Sequence, residues 1–236
     1  MDGALLINKP QGPTSHDVVQ VARRVLAIRR IGHTGTLDPM ADGLLVLLIG
    51  QATKHQQAFQ GHDKTYEAAI RLGIKTDTAD AEGRVVESAA IPELAAAQVS
   101  EVLACLQGPL VQTPPAFSAV KFRGKPAYWW ARRQKPIALS SRTVRIQALS
   151  LLAFDGVSLR IRVSCSAGTY IRALAETIAQ RLGTVGHVIR LTRQQLGDWA
   201  LEEAEPLSWL TTAAPGQIAS KVLPIDSALH ACSPAS

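Results

Sequence analysis

The apolar and polar positions of the chain fall into a few recognisable rhythms. Ala4 to Ile7 is a continuous apolar run closed by Asn8-Lys9-Pro10-Gln11-Gly12, which predicts a short buried strand and a turn. Val18, Val19, Ala22, Val25 and Leu26 recur at helical spacing, and Ser15 stands where the N-cap of that helix belongs. Gly32 to Gly43 breaks into a polar, glycine-punctuated loop, and Leu44 to Ile49 reads as a second buried strand. Tyr66, Ala68, Ile70 and Leu72 alternate with Glu67, Ala69 and Arg71, the mark of a strand with one buried face. Thr76 to Gly83 is an acidic loop. Pro92 opens a predicted helix with Val99, Val102, Leu103 and Leu106 as its stripe, ending at Gly108.

The Pro109–Pro126 stretch shows no period, and Ala127 to Arg133 reads as a short helix. Val144 to Phe154 and Leu159 to Cys165 form two predicted strands around Asp155-Gly156, a hairpin signal. Beyond Gly168 a helix turns Ile171, Leu174, Ile178 and Leu182 inward, with Tyr170 and Arg172 in its first turn and Gly183 after its end. Strands and helices mix without a regular βαβ beat, which points to an α+β fold. Thr211 to Gly216 is rich in small residues and reads as a linker. The main domain is therefore expected over residues 1–212, with 213–236 too short for a second core.

Composition narrows the class. With 236 residues, 47% of them hydrophobic, the chain has ample material for a core. No apolar run is long enough for a membrane-spanning helix, and Met1-Asp2-Gly3 does not begin a secretory signal. Cys105, Cys165 and Cys232 are far apart and lack metal-like spacing, which favours a reducing, cytoplasmic setting over a disulfide scaffold or a zinc site.

Charge changes the picture only when it is located. The net +6 averages two unlike parts: Lys121 to Arg172 holds eleven Lys/Arg and one acid, Asp155, while the remainder holds fourteen bases and eighteen acids. A basic stretch on an otherwise acidic protein suits a polyanion, nucleic acid first, although a solvated basic face would have the same composition. Arg23, Arg24, Arg29 and Arg30 form a smaller group on and just after the first predicted helix.

The densest polar loop is Gly32-His33-Thr34-Gly35-Thr36-Leu37-Asp38-Pro39. Its glycines permit a tight turn, and Pro39 keeps Asp38 out of helical geometry, so a carboxylate is presented on a constrained turn. An Asx turn in which Asp38 bonds its own backbone accounts for the same residues. The other chemically dense break is Cys165-Ser166-Ala167-Gly168-Thr169-Tyr170-Ile171-Arg172. An arginine beside a partly buried aspartate would hold it ionised, as a nucleophile requires, but spacing alone brings no such pair together. There is no P-loop, dinucleotide fingerprint, His-Glu-x-x-His or nucleophile elbow. Asp38 and Asp42 straddle a proline turn, a weak basis for a hydrolytic carboxylate pair.

Taken in order, these blocks resemble the bacterial tRNA pseudouridine-55 synthases, the TruB family. Leu6 to Gly12 is similar to the family's first motif. Gly32 to Pro39, continued by Gly43-Leu44-Leu45 and Gly50-Gln51-Ala52-Thr53-Lys54, is similar to its active-site motif. Lys64-Thr65-Tyr66-Glu67, Gln112-Thr113-Pro114-Pro115, Ser118 to Lys121 and Cys165 to Arg172 match later blocks, so the resemblance runs over about residues 3 to 229. It implies a mixed, mainly antiparallel sheet flanked by helices and loops around a central cleft. It implies isomerisation of a T-loop uridine of tRNA to pseudouridine, with base flipping and no cofactor or metal. A cytoplasmic monomer with tRNA as partner is expected.

By the same resemblance, Asp38 matches the nucleophile and Tyr66 the ring that stacks on the base. Tyr170 and Arg172 match the pocket tyrosine and the arginine paired with the nucleophile. Asp80 matches an aspartate of that arginine's network, His33 a histidine that holds the flipped RNA, and Leu191 an apolar pocket residue. Lys9 matches a motif lysine of structural role, and Arg193 is counted with the substrate-binding set. The intact Asp38, Tyr66, Tyr170 and Arg172 set argues against a non-catalytic RNA-binding protein, and the stretch from Gln112 to Arg132 against a guide-RNA-dependent synthase. Departures are Leu191-Thr192-Arg193 in place of Leu-Arg-Arg, Arg133-Gln134-Lys135-Pro136 in place of Gly and Glu, and Trp199 in place of phenylalanine. Leu223-Pro224-Ile225-Asp226 resembles the approach to a small C-terminal RNA-binding domain of the PUA type, which residues 213–236 are too few to complete.

Overall fold

The computed structural model describes residues 1–225; residues 226–236 of the expected C-terminal remnant, Asp226 and Cys232 among them, lie outside these. The elements begin with β1 (Gly3–Lys9), α1 (Ser15–Leu26), β2 (Ile31–His33), β3 (Ala41–Ile49), α2 (Gln56–Gln60) and β4 (Lys64–Leu72). Next come β5 (Ile74–Thr76), β6 (Val85–Ser88), α3 (Ala96–Ala104), β7 (Gly108–Gln112), β8 (Lys121–Phe122), β9 (Lys125–Pro126) and α4 (Ala127–Ala131). The last are β10 (Arg142–Phe154), β11 (Ser158–Cys165), α5 (Ile171–Arg181), β12 (Gly186–Leu196), β13 (Trp199–Ala200), β14 (Glu205–Pro206), α6 (Leu207–Thr212) and α7 (Pro215–Ser220). The class is α+β with mainly antiparallel strand pairs. None of the described helices is long and apolar enough to cross a membrane.

The chain divides into two compact units, one of residues 1–66 with 191–236 and the other of residues 67–190. Within the first unit, Leu223 bridges back to Ala4.

In the first unit, β1 lies between β14 and β3. The free side of β3 is shared: β12 runs parallel to Ala41–Gly43, and β2 runs antiparallel to Leu47–Ile49. Alternate residues of β1 and β3 meet in a core of Ala4, Leu6, Leu44, Val46 and Leu48 with Ala52, Phe59, Leu196 and Trp199. The Trp199 ring stacks on Phe59 at 5.5 Å between centroids, so the larger aromatic at this position is absorbed by the core. The N-cap of α1 is Thr14, not Ser15: Thr14 and Asp17 close a reciprocal capping box, which leaves the Ser15 hydroxyl for another use.

In the second unit the strand order is β4-β11-β10-β7. The β10–β11 hairpin forms as its pattern predicts, with the Asp155 carboxylate accepting from the amides of Val157 and Ser158 in the turn. The expected irregular stretch after Pro109 contains an edge strand, β7, and the small β8–β9 hairpin. Pro109 is tolerated there because an edge strand need not donate on both sides. The α3 helix starts at Ala96 rather than at Pro92, and Val99 and Leu103 are its buried stripe.

Candidate active site

The loop that carries Asp38 is built in the first unit, between β2 and β3, and is anchored from several elements of that unit. Ser15 Oγ accepts from the amide of Leu37 at 2.8 Å and donates to its carbonyl at 3.1 Å, both buried. The Gly12 amide donates to the carbonyl of Pro39 at 2.8 Å, and Ala41 N donates to that of Asp38 at 3.1 Å. From β12, Arg193 donates through Nε to Leu44 O at 2.6 Å and through Nη2 to Gly35 O at 3.2 Å. Leu37 itself is buried, whereas Asp38 is half-buried. The result is a carboxylate-bearing residue between an anchored neighbour on either side, on a turn with little freedom to relax.

Register explains how Arg193 reaches the loop. Leu191 pairs with Ala41, Thr192 with Asp42 and Arg193 with Gly43. Gly43 has φ +103°, and a Cβ there would fall onto the Arg193 backbone, so only glycine lets the two strands approach this closely. Arg193 is 1% exposed, which makes it a brace of the Asp38 loop. Lys9 is equally buried, and its ammonium donates to the carbonyls of Pro10 at 2.8 Å and Pro13 at 2.9 Å, holding the turn that contributes Gly12. Leu191 and Tyr66 are both buried in this unit. The His33 imidazole is held below its ordinary pKa, first by burial and then by the nearby Arg193 charge, so the ring is neutral at physiological pH.

Asp80, Tyr170 and Arg172 belong to the second unit, and there the structure brings them into one network. Arg172 Nη1 lies 3.4 Å from Asp80 Oδ2, with both side chains nearly sealed from water. The same nitrogen donates to Thr78 O at 2.9 Å, and Nη2 donates to Phe117 O at 2.9 Å. Asp80 Oδ1 accepts from Thr78 Oγ1 at 2.6 Å and from the Glu82 amide at 3.1 Å. A buried arginine is held here by one carboxylate and two carbonyls, and its fork is fixed in plane. Tyr170 is the N-cap residue of α5 rather than part of its first turn. Its amide donates to Gln112 Oε1 at 3.1 Å, Gln112 Nε2 donates back to its carbonyl at 3.3 Å, and Arg142 lies over its ring at 4.9 Å.

Ser15 and Gln112 are the positioning residues that sequence reasoning did not single out. Ser15 was hidden by its fitness as a cap; Gln112 stood in a matched block but in a stretch without periodicity. Among the described residues no three of His, Cys, Asp and Glu are grouped as a metal site would require.

The basic segment is uneven. Glu67 holds Arg162 at 2.7 Å and Arg160 at 3.6 Å, and Arg172 is buried with Asp80. Lys121, Arg123, Lys125, Arg132, Arg133 and Lys135 have no ion-pair partner among the described residues. Four of them, Arg123, Lys125, Arg132 and Arg133, lie over aromatic rings: Arg133 is 3.8 Å from the Trp129 ring centre, and Trp129 meets Trp130 edge-on.

The family model described as TruB family pseudouridylate synthase (N terminal domain) matches residues 23–171. A tRNA pseudouridine synthase B of Aromatoleum aromaticum is 44% identical over 226 residues, covering 96% of this chain and 73% of that protein. One of Francisella tularensis subsp. novicida is 47% identical over 211 residues, covering 89% and 70%. Among solved structures, a chain of a Cbf5-Nop10-Gar1 complex aligns with TM-score 0.75 at 26% identity, over 97% of this chain and 62% of that one. The chain belongs to the TruB family and is a pseudouridylate synthase.

Proposed function

We propose that this protein converts the T-loop uridine at position 55 of tRNA into pseudouridine, with Asp38 as the nucleophile. The observation that carries this reading is the anchoring of Leu37 and Pro39 on either side of Asp38. A carboxylate held so firmly spends little free energy on reorganisation when it meets substrate. The names of the curated relatives support tRNA as the substrate.

A uridine folded into RNA is out of reach until it is swung from its stack, so the enzyme extrudes it first. The exposed lysines and arginines from Lys121 to Lys135 hold phosphates, and Tyr66 stacks on the extruded base. Ionised Asp38 adds to the nucleotide, the bond from ribose to N1 breaks, and the uracil turns. A new bond then forms from ribose to C5, Asp38 is released, and the proton on C5 leaves while the freed N1 takes one up, so the product is an isomer of the substrate. His33 helps to hold the flipped nucleotide, Leu191 and Tyr170 contact the base, and Arg172 supplies positive charge. The reaction needs no cofactor, and the enzyme works as a cytoplasmic monomer.

The test is incubation of the pure protein with unmodified tRNA and mapping of the product. Pseudouridine is expected at position 55 without added metal, nucleotide or guide RNA. Asp38→Asn is expected to abolish turnover while tRNA binding persists. Normal turnover by Asp38→Asn would overturn the assignment.

A further inference from the structure

The arginines at the far end of α1 are not used by the reaction. Arg23, Arg24 and Arg29, with Gln20, Ala27 and Ile28, line an open depression of about 600 Å³. Arg30 adjoins it, tied through Nε to Thr53 Oγ1 at 2.7 Å. None of the four has a carboxylate within ion-pair distance among the described residues. Some other exposed cations of the chain are paired: Arg84 has Asp77, Arg160 and Arg162 have Glu67, and Lys221 has Glu205.

Favourable interaction with the helix macrodipole explains cations in the last turn of a helix, and Arg23 and Arg24 qualify. It does not explain Arg29, which lies beyond the helix. Arg29 is brought back because Ala27 takes a left-handed conformation at φ 54° and the Ile31 amide donates to Arg29 O at 3.2 Å. Arg23 is fixed in turn by its Nη2 bond to Ile31 O at 2.7 Å, while its Nε is buried with no hydrogen-bond partner. The turn after α1 thus gathers like charges around one concavity, an arrangement that is electrostatically unfavourable until an anion joins it.

We propose that this depression is a second phosphate-binding site for the RNA substrate, engaging backbone phosphates several nucleotides from the flipped base. The inference rests on the reading of the protein as a tRNA-modifying enzyme. One end of α1 holds the Asp38 loop through Ser15, and the other carries Arg23 and Arg24. The twelve residues between span about 18 Å at ~1.5 Å per residue. A-form RNA rises less than the ~3.4 Å per nucleotide of a B-DNA strand, so that span is at least about five nucleotides. A stem of that length reaches both places, and a shorter one reaches only the loop.

The experiment compares wild type, Arg24→Ala/Arg29→Ala and Arg181→Ala, an exposed arginine at the end of α5 that serves as charge control. Affinity for unmodified tRNA is measured across salt concentrations, then for T-arm hairpins of increasing stem length. The double variant is expected to bind tRNA several-fold more weakly at ~0.1 M salt. Its log–log salt slope should be shallower by about 1.4 to 1.8, the loss of two phosphate contacts. The difference should vanish for hairpins with stems below about four pairs, and Arg181→Ala should follow wild type. An unchanged slope in an enzyme whose wild type converts tRNA overturns the arginine site alone. An equal loss in Arg181→Ala also overturns it, since net charge then suffices. So does a double variant that loses only thermal stabilisation by inorganic phosphate, because the site would then take the free ion. A wild type that neither binds nor converts tRNA overturns this inference together with the proposed function.

Discussion

Ser15 and Leu37 exchange two hydrogen bonds through one hydroxyl: Ser15 Oγ accepts from the Leu37 amide and donates to the Leu37 carbonyl, 22 residues away along the chain. Both backbone groups are buried beside Asp38, so the first residue of α1 sets the entry to the reactive turn. Ser15→Ala strands both groups, at a cost of about 1 to 3 kcal/mol for each buried unsatisfied group. The expected outcome is a lower urea midpoint and a slower single-turnover rate, with Ser15→Thr restoring part of the rate. Wild-type kinetics in Ser15→Ala would show that the clamp does not position Asp38.

Arg172→Ala leaves Asp80 buried without its opposite charge and frees the carbonyls of Thr78 and Phe117. Breaking a buried pair in this way costs about 3 to 5 kcal/mol. Asp80→Asn should cost less, because an amide oxygen still accepts from Thr78 and Glu82. Urea unfolding of both variants and of the double variant gives the coupling. A loss below ~1 kcal/mol in Arg172→Ala would mean that the network is replaceable by water.

His33 and His62 give stability a defined dependence on pH. Both are held below their ordinary value of 6.5, His33 by burial and then the Arg193 charge, His62 by burial and then Lys64. As pH falls the unfolded chain takes up protons first. The contribution of each ring is therefore complete above about 6.5 and is lost as pH falls through the folded value. His33→Gln/His62→Gln should flatten the fall of stability below about pH 6.5, and NMR titration of the wild type should place both midpoints below 6.5. Midpoints at or above 6.5 would refute the assignment.

The basic segment predicts a graded loss of RNA affinity. Lys125→Ala, Arg132→Ala and Arg133→Ala should each make the salt slope of RNA binding shallower by about 0.7 to 0.9 where a phosphate contact is lost. Arg133→Ala should also alter the fluorescence of Trp129, on whose ring it lies. Arg160→Ala and Arg162→Ala should change affinity less, since Glu67 already engages both. Equal effects from all five would show that only the total charge matters.

Elements with one clean period were legible in the sequence. The alternation of Tyr66, Ala68, Ile70 and Leu72 is the buried face of β4, and the Asp155-Gly156 signal is the turn of the β10–β11 hairpin. β12 was not legible, because two of its buried positions are polar. His187 is satisfied by Ile74 O at 2.8 Å and Arg193 by Leu44 O at 2.6 Å, partners that a pattern of hydrophobicity cannot reveal. The expected linker from Thr211 to Gly216 is instead the end of α6 and the start of α7, with Pro215 at the first position of α7 and Gln217 capping Ala214. Buried Leu210 and Ile218 hold these short helices, and two apolar residues in a run of small ones leave no period to read.

By itself the sequence determined the class of fold, the turn at Asp38-Pro39 and the location of the charge. These are local properties, set by backbone sterics, side-chain period and composition. Only the tertiary structure decided that Arg193 and Ser15 brace the Asp38 loop, that Arg172 is sealed against Asp80, and that Arg23, Arg24 and Arg29 share one depression. Each depends on register and close approach between residues far apart in the chain. Hydrogen bonding and burial, which sequence spacing does not encode, then fix which polar groups serve the fold and which remain for RNA.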